Sequence, residues 1–136
     1  MNFNFGHLNS ARGYAGATVG GAGNTTTNNN ALATGYFTTA NGDSSSTFGD
    51  HTTANGNDQM VIGRYNIVDT TNAFIIGNGD NSAKSNALTV DFDGNLWIAN
   101  GITVGADKVA LITATEVDTK ISEALSAIGV AEEGAY

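Results

Sequence analysis

The chain has 136 residues, enough for one ordinary domain or a few small modules in series. Its net charge is −8 and its 5 Lys and Arg residues are scattered, so no basic patch exists to grip nucleic acid or an anionic membrane. Cysteine and proline are absent, which excludes disulfides and thiolate metal sites, and nothing interrupts backbone pairing along a stack of strands.

Residues 1–16 read as an irregular N-terminal lead-in without the basic and apolar pattern of a signal peptide. From residue 17 to 77 the chain is periodic. Gly35, Gly42, Gly49, Gly56 and Gly63 are evenly spaced, Thr70 takes the next place, and Gly77 resumes the series. The larger unit is fourteen residues: Thr38-Thr39-Ala40-Asn41-Gly42 returns as Thr52-Thr53-Ala54-Asn55-Gly56. Such self-similarity predicts stacked identical coils and not a globule around one pocket. Each half-unit has room for a short strand and a glycine turn, so two halves make one coil of a narrow β-solenoid.

Alternation along the strands assigns the faces. It groups Thr38 with Ala40 and Thr52 with Ala54. The expected interior of the roll is Leu32, Phe48, Met60, Ile62, Phe74 and Ile76, with Ala40 and Ala54 opposite. Met60-Val61-Ile62 and Phe74-Ile75-Ile76 are apolar on both faces, the mark of a strand buried on both. One coil has only one interior. Val61 and Ile75 are therefore expected at a chain–chain interface, covered by further copies around a symmetry axis; the alternative is cover by a flanking segment within a monomer. Tyr36, Phe37, His51 and Tyr65 are large rings at outward positions, candidates for surface binding, with packing between coils as the competing explanation.

Residues 78–112 are expected to form a β-hairpin connector. Ala87–Phe92 and Leu96–Ala99 flank Asp93-Gly94-Asn95, a strong turn signal, and Gly101–Gly105 reads as one more short strand. Residues 113–129 read as a helix. Thr113 and Glu116 have capping-box spacing, an apolar stripe runs through Val117, Ile121 and Ile128, and Gly129 stops it. A helix this short is marginal alone, so a coiled coil of sister chains is expected, with Val117, Ile121 and Ile128 at its seam. Residues 130–136 read as a frayed tail.

Catalytic and metal chemistry find no foothold. His7 and His51 lie in no metal-spacing motif. Asp91, Asp93 and Asn95 resemble a calcium loop in spacing but lack its closing Glu, and the hairpin turn accounts for them. No serine has a nucleophile-elbow context. The expectation is a non-enzyme without cofactor.

The repeats themselves resemble the head repeats of YadA-like trimeric autotransporter adhesins. Gly35, Ala40, Gly42, Ser45, Phe48 and Gly49 fall on that family's pattern, with Thr38 for its first Ala, and the next unit matches at Gly49, Ala54, Gly56, Ile62 and Gly63. The resemblance implies a left-handed parallel β-roll in an intertwined homotrimer. Ser85-Asn86-Ala87-Leu88-Thr89-Val90-Asp91 through Asn95 resembles the segment that follows such repeats in phage and prophage tail-fibre and baseplate-associated proteins. That implies a structural trimeric module of a virion tail: a rigid spacer, with other tail or baseplate proteins and a host-surface receptor or glycan as partners, and no membrane insertion. Two alternatives stay open: a bacterial surface adhesin head that binds host matrix or cells, and a monomeric ice- or carbohydrate-binding solenoid.

Overall fold

A computed structural model describes residues 1–104, 107–109 and 114–129. The chain is mainly β, a solenoid of about five turns followed by a short helix. Each of the first four turns contributes one longer and one two-residue strand. In chain order these are β1 (Phe3–His7), β2 (Ser10–Ala11), β3 (Ala17–Ala22), β4 (Thr25–Thr26), β5 (Leu32–Tyr36), β6 (Thr39–Ala40), β7 (Ser46–Asp50), β8 (Thr53–Ala54), β9 (Met60–Arg64) and β10 (Asn72–Asn78). The longer strands stack in parallel as β1-β3-β5-β7-β9-β10, the short ones as β2-β4-β6-β8.

The register is regular in the middle of the stack. Leu32 lies beside Ser46, then Met60, then Phe74, and Gly35 beside Gly49, Gly63 and Gly77. Gly49 shows why this column holds glycine. Its φ is +128°, and a Cβ there would lie 1.9 Å from the carbonyl oxygen of Gly63 in the next turn. Stacking extends further toward the N-terminus than the expected boundary at residue 17. Phe3 pairs with Ala17, so β1 is already a coil strand and residues 1–16 are not an irregular lead-in. One turn carries an extra residue, with Ala17 opposite Leu32, and β3 absorbs it in an irregularity between Val19 and Ala22.

The interior is lined by small and β-branched side chains. Along the long sheet it runs Thr18, Ala33, Thr47, Val61 and Ile75, all fully buried; Thr26, Ala40 and Ala54 face them from the short sheet, and Thr38, Ser45 and Thr52 close the corners. Ala40 and Ala54 are therefore where the alternation put them. The long strands are the opposite of the expectation. Val61 and Ile75, expected at a chain–chain interface, are 0% exposed inside the roll. Leu32, Phe48, Met60, Ile62, Phe74 and Ile76, expected inside, are on the outer face, with Met60 40% exposed and the others half-buried. The cause is steric. A roll this thin accepts Ala, Thr, Val and, at its last level, Ile75, and Phe or Met would force the two sheets apart.

Polar side chains tie the turns together. Asn29, Asp43 and Asn57 form one corner column: Asn57 Oδ1 accepts from the Asp43 N–H, Asp43 Oδ1 from Asn29 N–H, and Asn29 Oδ1 from Tyr14 N–H, each at 2.9 Å. Buried Gln59 accepts from the Asn55 and Gly56 N–H groups and donates to the carbonyls of Asp69 and Asn72. A buried amide so fully paired costs little and fixes the register.

β11 (Asn86–Asp91) pairs antiparallel with β10 and closes the open edge of the stack, and β12 (Leu96–Ile98) pairs antiparallel with β11. The Asp-Gly signal is thus realised as a turn, with Asp91 Oδ1 accepting from the Asp93 and Asn95 N–H groups at 3.0 and 2.8 Å. Residues from Gly101 onward form a second unit. There β13 (Ile102–Val104) pairs antiparallel with β14 (Asp107–Val109), a strand the sequence did not announce, and α1 spans Ala114–Ala127. The expected cap Thr113 and the tail 130–136 lie outside the described residues. Val117 and Ile121 are exposed on the helix, and Ile128 is exposed in the turn that follows it.

Candidate functional site

One corner of the roll gathers all four ring residues singled out in the sequence. Phe37, His51 and Tyr65 occupy the same corner on three successive turns, each with its N–H bonded to a carbonyl of the turn before: Phe37 to Ala22 at 2.8 Å, His51 to Tyr36 at 2.8 Å, Tyr65 to Asp50 at 3.0 Å. All three adopt left-handed backbone, with φ of 50°, 52° and 42°. Bulky residues rarely do so, at a cost of roughly 1 kcal/mol or more each. Gly23 holds the same corner one turn earlier at φ +69°, and the Phe37 ring lies over it so closely that a Cβ would sit 2.8 Å from ring carbons.

The rings stack along the roll. Phe37 and His51 have centroids 5.3 Å apart and planes 19° off parallel; His51 and Tyr65 are at 4.6 Å and 7°. Tyr36 meets Phe37 edge-on at 4.7 Å. Packing between coils is therefore part of what these rings do, and their faces are spent on one another. Their edges stay open to solvent: Tyr36 is 51% and Phe37 47% exposed. His51 Nδ1 lies 2.6 Å from Asp50 Oδ1. A carboxylate only accepts, so Nδ1 is the donor of this contact.

The segment 78–85, the start of the connector expected over 78–112, folds back against this corner. Gly79 N–H donates to the Arg64 carbonyl and Ser85 N–H to the Tyr65 carbonyl, both at 3.1 Å. The loop is pinned from within by Asp80, whose Oδ1 accepts from Ser82 N–H at 2.8 Å, Ser82 Oγ at 2.6 Å and Ala83 N–H at 2.9 Å. Those bonds, the Ser82 hydroxyl first, hold the Asp80 carboxyl below its ordinary pKa. Between ladder and loop lies a cleft of about 430 Å³, lined by Phe37, His51, Thr53 and Tyr65 on one side and by Asp80 to Lys84 on the other. Sequence reading missed the loop's part. Asp80-x-Ser82 does announce an Asx turn, but only the fold reveals which corner it meets.

A second surface stands out by its chemistry. The outer face of the long sheet carries Leu32, Phe48, Met60, Ile62, Phe74 and Ile76, and pairing carries it onward: Phe74 beside Val90 and Val90 beside Leu96, Ile76 beside Leu88 and Leu88 beside Ile98. An apolar band thus runs from Phe48 in β7 to β12, with Ser46 and Thr34 separating Leu32 from its rows.

Among the described residues no three potential metal-ligating side chains converge, and no described helix is long and apolar enough to cross a membrane. No family model matches the chain, and no curated protein or solved structure matches it significantly.

Proposed function

We propose that the chain is a structural module of a homotrimeric fibre, a left-handed roll of fourteen-residue repeats joined through a hairpin connector to a short coiled coil. The single observation that carries this reading is the apolar band on the outer sheet face. Patches of this size on a soluble chain mark association surfaces, and a sheet facing water normally alternates to polar residues on its outer side. The need for cover inferred from the triplets remains, with the two faces exchanged: Phe48, Met60, Ile62 and Phe74 make the interface, and Val61 and Ile75 the core. Val117, Ile121 and Ile128 form the seam of the coiled coil. The resemblance of the repeats and of the segment 85–95 supports a place in a phage or phage-like tail, where the roll is a stiff spacer and its ring-bearing corner contacts a host surface.

Solution mass tests the assembly. The expected particle has three times the 13.9 kDa of one chain, about 42 kDa. A 13.9 kDa particle overturns the fibre reading and leaves a monomeric solenoid.

A further inference from the structure

We infer that the cleft between the ring ladder and the loop 80–84 binds a neutral saccharide; this deepens the surface contact proposed above and rests on it. Three observations converge. Bulky rings are held in left-handed backbone at three successive turns, at a corner where Gly23 shows that glycine fits. The roll imposes the same conformation at its other corner, on Asn30, Ser44 and Asp58, so what folding does not require at this corner is the choice of a ring over glycine.

Both walls are also fixed before any ligand arrives. One is a stack of rings; the other is a loop locked by Asp80 and anchored to the Arg64 and Tyr65 carbonyls. A preorganised cleft loses little entropy on binding. Its volume of about 430 Å³ lies in the range of small-ligand sites.

Finally, the lining mixes apolar ring edges with short-range donors and acceptors: the Tyr65 phenol, the Thr53 and Ser82 hydroxyls, the Asn81 amide and the Lys84 ammonium. A pyranose presents the matching surface, C–H patches between closely spaced hydroxyls. Charge selects within that class. The lining holds one carboxylate, Asp80, and one ammonium-bearing residue, Lys84, and the chain as a whole carries −8, a field that repels anionic sugars.

The test applies the full chain to an array printed with neutral saccharides and with sialylated and phosphorylated ones, beside Lys84→Ala, Asn81→Ala and Tyr65→Ala, with the mass of each variant measured. The expected result is retention on neutral saccharides, lowered at least about tenfold in Lys84→Ala and Tyr65→Ala at unchanged mass. The exposed loop variants keep the test valid should Tyr65→Ala fail to fold. Absence of binding, binding to anionic saccharides alone, or retention unaffected by Lys84→Ala overturns the site. Binding by a monomer would leave the site standing and remove only the fibre reading, and a trimer without binding would do the reverse.

Discussion

Two hydroxyls inside the roll, Thr47 Oγ1 and Thr52 Oγ1, are buried without a hydrogen-bond partner. An unpaired buried hydroxyl costs about 1–3 kcal/mol relative to a methyl of the same shape. Thr47 sits between Ala33 and Val61 in its column, so the next turn already holds the apolar equivalent. Thr47→Val should therefore stabilise the chain by about 1 kcal/mol in a denaturant titration; a loss of stability would mean that the hydroxyl has found a partner. The exposed turn carboxylates act in the other direction. Asp80 and Asp91 are both held below their ordinary pKa, Asp80 mainly by the Ser82 hydroxyl and Asp91 mainly by the Asn95 side chain. A depressed folded-state value means stability present above the unfolded pKa and lost as pH falls through the folded one. The amide resonances of Ser82, Ala83 and Asn95 should hold steady through neutral pH and titrate only below about pH 4. A midpoint above that would contradict the turn geometry, and Asp80→Asn should abolish the transition at Ser82 and Ala83 alone.

At the scale of a strand, neighbouring residues part company. In β9, Val61 is sealed in the roll while Met60 and Ile62 on either side face outward. Val61→Asp should unfold the roll, because a carboxylate there would be buried unpaired at a cost of several kcal/mol. Ile62→Asp should leave circular dichroism and the monomer fold intact and reduce the particle to a single chain. Equal behaviour of the two variants would refute the assignment of faces. The period of the stack was legible because glycine is required wherever turns approach as closely as Gly49 and Gly63 do. Its phase was not. Met60-Val61-Ile62 and Phe74-Ile75-Ile76 are apolar throughout, and alternation assigns no side to a strand without a polar face. The usable signal lay in size: the column Thr18, Ala33, Thr47, Val61 holds nothing larger than Val until Ile75, as a thin interior demands. β1 was hidden for another reason. The extra residue between Ala17 and Leu32 shifts it out of step with the glycine series. The ring ladder was half legible: exposed rings at one repeat position were visible, but the loop opposite them reads as any polar connector.

For the whole molecule, the thin interior sets a limit. A core made mostly of Ala, Thr and Ser, with Val61 and Ile75 its largest apolar members, buries little apolar area per residue, and at about 25 cal/mol per Å² such a core gives one chain a narrow margin over its conformational entropy. The larger side chains, Phe48, Met60, Phe74 and Ile76, are on the outside, where an isolated chain gains least from them. On the proposed assembly their burial supplies the missing stability, and folding is then tied to association. Mass action makes this measurable: the thermal midpoint of the wild-type chain should rise with protein concentration. In Ile62→Asp it should be lower and independent of concentration, because that chain keeps its interior and loses only its outer cover. A wild-type midpoint that stays constant over a hundredfold dilution, with Ile62→Asp melting alongside it, would mean that the outer band adds nothing to stability and that the roll stands on its small-residue core alone.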